Sequence, residues 1–182
     1  IQIRLASRPS GWVTQENFSV TDEAIPEIEQ GQLLVRNIFM SVDPYMRGRM
    51  NDTKSYVPAF QIGEVLQAGV VGEVVESKNT DYAEGDFVMG MLGWENFSIS
   101  DGAQLRKISP GALPLSYHLG LLGMPGMKAY GAPFVIANTN PDDRVFGAAA
   151  AGAGGGGVGQ LGRKRWLRFS GCAGAEGSVA VG

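Results

Sequence analysis

Residues 1 to about 110 contain short stretches in which apolar and polar side chains alternate. Residues 32–42 (QLLVRNIFMSV) alternate at first and then become apolar, which indicates a strand with one buried face that ends in the core. Residues 68–77 are rich in β-branched side chains, and Gly72 among them indicates a bulge or a close approach of two backbones. Further short strands are predicted on both sides of the Asp101–Gly102 turn. Many short strands separated by turns predict a β-rich barrel.

The spacing of apolar residues becomes helical after Leu113. Two helices are predicted, with a break at Pro125–Gly126; their apolar positions are Leu115, Leu119, Leu122, Met127, Tyr130 and Phe134. A buried strand over 144–148, a glycine-rich turn, a helix from Gly155 and a further short strand follow. This order of elements predicts the start of a doubly wound α/β domain.

The tract AAAAGAGGGGVGQLG (148–162) fits the G-x-G-x-x-G template in three registers, so the template alone decides nothing. Its context is informative, because a dinucleotide-binding turn must follow a strand and open a helix. Glycine lets the backbone approach a pyrophosphate, whose charge is favoured at the positive helix N-terminus. A nucleoside triphosphate loop is disfavoured, since Arg163–Lys164 stand where such a loop needs Lys followed by Ser or Thr.

Composition excludes several classes of function. Apolar residues make up 44% and charged residues 18% of the 182 residues, as in ordinary globular proteins. The net charge of −3 argues against binding of nucleic acid through a general basic field, and no apolar run is long enough to predict a membrane helix. The first residues do not resemble a signal peptide. One Cys and one His cannot form a disulfide framework or a zinc site, which fits a cytoplasmic protein without a metal.

Three stretches resemble one family: SVDPYMRGRM (41–50), LGLLGMPGMKAY (119–130) and AAAAGAGGGGVGQL (148–161). They are similar to the zinc-independent medium-chain dehydrogenases/reductases that include leukotriene/prostaglandin, 2-alkenal and curcumin reductases. The resemblance implies a β-rich GroES-like barrel followed by the start of an α/β Rossmann domain. We expect a GroES-like catalytic and substrate domain over 1–118. A partial NADP-binding Rossmann domain is expected over 119–182, truncated or divergent after about residue 162.

The resemblance implies NADPH-dependent reduction of the C=C bond of an α,β-unsaturated aldehyde or ketone. Hydride goes to the β-carbon and a proton to the α-carbon. The charge that develops on the carbonyl oxygen needs a hydrogen-bond donor. Tyr45 is the expected donor and substrate contact, and Tyr56 is the second expected substrate residue. A quinone reductase of the same superfamily and a non-catalytic, truncated binding module remain as alternatives. Family members often pair through the edge of the Rossmann sheet, so a homodimer is compatible with the resemblance.

The resemblance also assigns the NADP(H) contacts. The Met-Pro-Gly turn is expected beside the nicotinamide, with Lys128 in place of a customary Thr. The A-x-x-G-x-x-G register of the nucleotide turn falls on Ala149, Gly152 and Gly155. The full set of expected cofactor residues is Met124, Pro125, Gly126, Lys128, Ala149, Gly152, Ala153 and Gly155.

Other polar residues are expected to have structural roles. Asp43 and Arg47 are predicted to form a buried ion pair beside Tyr45. His118 is predicted to be a structural residue on an apolar helix face, and Cys172 a buried strand residue. The basic residues that follow the glycine tract are interpreted as a solvated helix end, with the 2′-phosphate of NADP as the alternative contact; they are Arg163, Lys164, Arg165 and Arg168.

Overall fold

The computed structural model describes residues 1–25, 27–55, 57–172 and 174. The chain divides into two compact units, Ile1–Leu113 and Pro114–Gly182. The first is rich in antiparallel strands, and the second contains helices and one pair of parallel strands.

The first unit is built on a five-stranded antiparallel sheet in the order β6-β3-β4-β5-β7. Its strands are β3 (Leu33–Met40), β4 (Gln67–Ser77), β5 (Phe87–Gly93), β6 (Phe97–Ser100) and β7 (Leu105–Ile108). A smaller antiparallel pair is formed by β1 (Gln2–Leu5) and β2 (Phe18–Thr21). The β-rich prediction for this part of the chain is confirmed.

Gly72 lies where β3 and β4 approach each other too closely for a side chain. A Cβ at this position would be 2.7 Å from the carbonyl oxygen of Arg36 and would also overlap Val35. The pairing of the two strands is irregular next to this point, between Asn37 and Phe39. The prediction of a close backbone approach at Gly72 is therefore confirmed.

A six-residue helix, α1 (Pro44–Arg49), follows β3 and packs on the apolar core of the first unit. Met46 and Met50 are buried there together with Leu5, Phe60, Leu66 and Ala68. An isolated helix of this length would not be stable in water, so burial of the two methionines determines where α1 lies.

The helical part of the second unit differs from the prediction. The chain forms a short 3₁₀ helix at Leu115–Leu119, then α2 (Met124–Tyr130), which continues into a π-helical turn at Gly131–Ile136. Pro125 stands in the first turn of α2, where a missing N–H costs nothing, so it begins the helix instead of breaking it. The break lies earlier, between Gly120 and Gly123.

A β-α-β segment completes the second unit. It consists of β8 (Arg144–Gly147), α3 (Ala153–Lys164) and β9 (Arg168–Gly171). The two strands are parallel, with Val145 opposite Phe169. The predicted strand and helix are confirmed, and the helix begins two residues before Gly155. The prediction for Cys172 is wrong: it lies one residue after the end of β9 and is exposed, as are three of the four residues of that strand.

Packing separates the glycines of α3 into constrained and open positions. A Cβ on Gly155 would be 2.6 Å from Cα of Ala150, and one on Gly157 would be 3.0 Å from Cβ of Ala129. In contrast, a Cβ on Gly156 would make ordinary contact, 3.6 Å from the carbonyl oxygen of Ala150, and one on Gly154 would meet no atom within 4 Å. The helix therefore needs glycine at some positions of the tract and only tolerates it at others.

We expect Gly155→Ala and Gly156→Ala to change stability in opposite directions. Alanine at 155 overlaps the backbone of the preceding turn and should lower the free energy of unfolding by about 1–3 kcal/mol. Alanine at 156 should raise it by about 0.5–1 kcal/mol, because glycine is the weaker helix former. Denaturant unfolding of the two variants measures both effects. Equal changes in the two variants would contradict the close approach at Gly155.

Asp86 links the turn between β4 and β5 to β7. Its Oδ2 accepts hydrogen bonds from the Ala83 N–H (2.8 Å) and from Nζ of Lys107 (2.7 Å). These two donors, the Ala83 N–H above all, hold the pKa of Asp86 below its ordinary value of 3.8.

The lowered pKa makes the stabilising effect of Asp86 dependent on pH. A carboxyl group with a lowered pKa in the folded state stabilises the fold above its unfolded pKa, and this stabilisation is lost as the pH falls through the folded pKa. We therefore expect Asp86→Asn to lower the thermal unfolding midpoint at neutral pH, with the difference from wild type shrinking as the pH falls below 3.8 and through the lowered folded-state pKa of Asp86. Thermal unfolding across this range is the measurement, and an undiminished difference at the acid end would contradict the assignment.

Candidate substrate pocket and cofactor turn

Tyr45 is placed by the start of α1. Pro44 occupies the first helical position, and the Met46 N–H donates to the carbonyl oxygen of Asp43 (3.0 Å). The Asp43 N–H in turn donates to Sδ of Met46 (3.4 Å). Because Met46 is buried in the core, Tyr45 beside it is directed outwards and is 37% exposed.

Tyr45 lines a surface pocket with a volume of about 310 Å³ that is formed by α1 and the chain segment that follows it. The described lining residues are Tyr45, Gly48, Arg49, Asn51, Thr53, Lys54, Ser55, Val57 and Ala59. Three of these residues carry hydroxyl groups and two carry positive charges, whereas none of them carries a carboxylate. The pocket therefore offers hydrogen-bond donors to an uncharged or electron-rich oxygen.

Sequence reasoning missed most of this pocket. It identified Tyr45, but not Arg49, Thr53, Lys54 or Ser55. The available signal was the polar run directly after the two arginines of α1. Tyr56, the second substrate residue expected from the sequence, lies outside the described residues.

Arg47 supports the helix that carries Tyr45. Its guanidinium donates to the carbonyl oxygens of Gly11 (2.7 Å) and Pro9 (3.3 Å) and to Oδ1 of Asn51 (2.7 Å). None of the ion pairs in the described parts of the chain joins Asp43 to Arg47. The predicted ion pair is thus wrong, because Arg47 binds loop carbonyl groups instead.

The Met-Pro-Gly turn lies at the start of α2. Met124 is 60% exposed, and Lys128 is exposed one turn later. A Cβ on Gly126 would be 2.5 Å from the carbonyl carbon of Leu121, so this position needs glycine. The Gly126 N–H is already used, since it donates to the carbonyl oxygen of Gly120 (3.2 Å).

The glycine tract forms a tight turn between β8 and α3. Ala149 has a positive φ of 51°, and its carbonyl oxygen accepts from the Gly152 N–H (3.0 Å). The Ala150 N–H donates to the carbonyl oxygen of Cys172 (2.9 Å), which fixes the turn against the end of β9. Ala149, Gly152 and Ala153 are exposed at the N-terminal end of α3, where the helix dipole favours an anion.

The basic residues lie at the other end of this β-α-β segment. Arg163 and Lys164 are in the last turn of α3, and Arg168 starts β9 opposite Arg144. The guanidinium of Arg165 lies 4.9 Å from the ring centre of Phe134 and 5.7 Å from that of Tyr130. This arrangement favours the interpretation as a helix end over a contact with a phosphate near the turn.

His118 and the other polar residues considered from the sequence do not form a second candidate site among the described residues. His118 lies in the 3₁₀ helix, and its buried Nδ1 has no hydrogen-bond partner among the described residues. Within the described ranges, no group of three or more His, Cys, Asp or Glu residues is placed to hold a metal ion. No helix there has the length and apolar character needed to cross a membrane.

Comparison with known proteins places this geometry in a family. The model of the N-terminal domain of oxidoreductases matches residues 1–108. The NADPH-dependent curcumin reductase of Escherichia coli is 42% identical over 170 residues, which cover 93% of this chain and 49% of that protein. The 2-alkenal reductase (NADP(+)-dependent) of Nicotiana tabacum is 36% identical over 183 residues, covering 98% and 53%. The chain thus spans about half the length of these relatives.

Solved structures agree with this result. The structure of CurA in complex with NADPH from Vibrio vulnificus is 42% identical, with a TM-score of 0.90 over 97% of this chain and 52% of that one. A quinone oxidoreductase of Escherichia coli shares the fold at 16% identity and a TM-score of 0.70. The chain therefore belongs to the zinc-independent medium-chain dehydrogenase/reductase family, and its sheet-rich first unit is the family's GroES-like N-terminal domain.

Proposed function

We propose that the protein reduces the C=C bond of α,β-unsaturated aldehydes or ketones with NADPH. The observation that carries this proposal is the position of Tyr45 in the wall of a pocket whose described lining has no carboxylate. Relatives that are 36% and 42% identical bear the names of NADP-dependent alkenal and curcumin reductases. Quinone oxidoreductases share only the fold, at 16–21% identity, so the enone is the preferred acceptor class.

In this proposal, substrate binding and cofactor binding are assigned to different parts of the sequence. Residues 1–118 hold the substrate, and residues 119–182 begin a Rossmann domain for NADP(H). A homodimer and a cytoplasmic location also belong to this proposal. The homodimer rests on the family resemblance given in the sequence analysis, and the location on the cysteine content.

The turn at the start of α3 fits the phosphates of NADP(H). A side chain on Gly155 would overlap the backbone of Ala149 and Ala150 in the turn. The residues around the start of α3 are small and at least partly exposed, so no large side chain covers the first N–H groups of the helix. The residues that would hold the cofactor are Ala149, Gly152, Ala153 and Gly155, with Met124, Pro125, Gly126 and Lys128 towards the nicotinamide. When bound, this cofactor would supply the hydride, and the proton that the α-carbon takes up would come from solvent.

The contribution of Tyr45 is electrostatic. Its phenol O–H donates a hydrogen bond to the substrate carbonyl oxygen, where negative charge accumulates as hydride reaches the β-carbon. The hydrogen bond strengthens as this charge grows, so it lowers the barrier more than it tightens substrate binding. Such a donor makes a metal ion unnecessary for polarising the carbonyl group.

Purified protein should consume NADPH in the presence of a 2-alkenal or an enone, and more slowly with a quinone. Loss of NADPH absorbance measures the rate, and quenching of NADPH fluorescence measures binding. A protein that neither binds nor consumes NADPH would contradict the proposal and favour a binding module. Faster turnover of quinones would favour the quinone reductase.

Tyr45→Phe should lower kcat/KM by about tenfold to a hundredfold, since one donor to the developing charge is lost. The matched control is Tyr82→Phe. The Tyr82 hydroxyl donates to the carbonyl oxygens of Gly102 and Leu105 and does not line the pocket. This variant should lose stability and keep its kcat/KM at temperatures where it is folded. An unchanged kcat/KM in Tyr45→Phe would remove Tyr45 from the mechanism.

A further inference from the structure

Arg49 makes four contacts around the C-terminal end of the loop that follows α1; one is with Pro58 in the loop, two are with Phe60, and one is with Gln67. Nε donates to the carbonyl oxygen of Pro58 (2.9 Å), and Nη2 donates to Oε1 of Gln67 (3.2 Å). The guanidinium carbon lies 4.0 Å from the ring centre of Phe60. The Phe60 N–H in turn donates to the carbonyl oxygen of Arg49 (2.7 Å). One residue thus joins the end of α1, the end of the loop and the start of β4.

The described residues of the loop between α1 and Phe60 form no strand, so no ladder of backbone hydrogen bonds holds them in place. Phe60 is 5% exposed and belongs to the same apolar cluster as Met46 and Met50, so the ring under Arg49 is fixed. The planar guanidinium stacks on this ring and still directs its N–H groups to two acceptors, an arrangement that a lysine cannot reproduce. The opposite end of the loop is held by Arg47, which binds Asn51.

We propose that Arg49 is a positioning residue that sets the width of the substrate pocket by holding the loop wall, described over residues 51–55 and 57–59, against Phe60 and Gln67 through its hydrogen bond to Pro58. It acts through the wall, which carries Thr53, Lys54 and Ser55, and so determines which acceptors fit beside Tyr45. The proposal rests on the proposed function for its kinetic consequence, whereas the clamp itself is a property of the loop alone. The alternative is that the charge of Arg49 attracts an anionic substrate.

The kinetic test compares Arg49→Lys and Arg49→Ala with wild type. Both variants should raise KM for a bulky enone about tenfold, the scale expected for loss of a charged hydrogen bond, with kcat changed less than about twofold. The matched control is Arg36→Ala, which removes an arginine that pairs with Glu73 on the exposed side of the sheet. This control should leave both constants unchanged.

A second measurement reports the opening of the pocket wall and does not depend on catalytic activity. Lys54 is exposed in the loop, and trypsin cleavage after it reports how often the wall opens. Cleavage at Lys54 should be about tenfold faster in both Arg49 variants and unchanged in Arg36→Ala. If Arg49→Ala does not fold, Phe60→Leu removes the ring under the guanidinium and should give the same two effects.

The outcomes separate the clamp from the alternatives. If Arg49→Lys has the KM of wild type while Arg49→Ala has a raised KM, the proposal is overturned and the effect is assigned to the positive charge. A raised KM without faster cleavage at Lys54 would overturn it as well, because the wall would be intact. If the wild-type protein shows no reductase activity, the proposed function fails, and the cleavage rates alone confirm or overturn the clamp.

Discussion

Hydrogen bonds from arginine side chains to loop carbonyl groups hold the candidate site together. Arg8 binds the carbonyl oxygen of Met50, Arg47 binds those of Pro9 and Gly11, and Arg49 binds that of Pro58. Hydrogen bonds from charged donors are stronger than neutral ones when they are buried, whereas solvent weakens the exposed bonds of Arg47 to Gly11 and of Arg49 to Pro58. Burial of Met46 and Met50 determines where the six-residue helix lies, and these hydrogen bonds join it to the irregular loops beside it, so the position of Tyr45 depends on both.

Most of the strands could be predicted from the sequence, because alternation and turn residues are local signals. The close approach at Gly72 was also predictable, since a glycine inside a β-branched strand commonly marks a place where a side chain would not fit. The prediction of an Asp43–Arg47 ion pair was wrong because the carbonyl partners of Arg47 are not local in sequence. They lie in residues 9–11 and are backbone carbonyl groups, which every residue has, so the sequence does not indicate which of them accept a hydrogen bond. The pocket wall was missed for the same reason, because contacts of Arg49 shape it and no periodicity marks it.

The glycine tract shows how context limits a motif. Its composition matched the dinucleotide template in three registers, and the order of strand, turn and helix supported the assignment. The sequence did not reveal which glycines are required by packing. Gly155 is needed because the turn lies against α3, whereas Gly156 has room for a methyl group. Such distinctions depend on distances between elements, which the tract itself does not encode.

The position of the cations at the far end of α3 bears on the choice between NADP and NAD. The carboxyl ends of β8 and β9 lie on the side of the turn, and the arginines and Lys164 lie on the other. Under the proposed binding of NADP(H) at this turn, protein engineers who wish to exchange the cofactor should therefore leave the helix end unaltered, because its cations lie away from the turn.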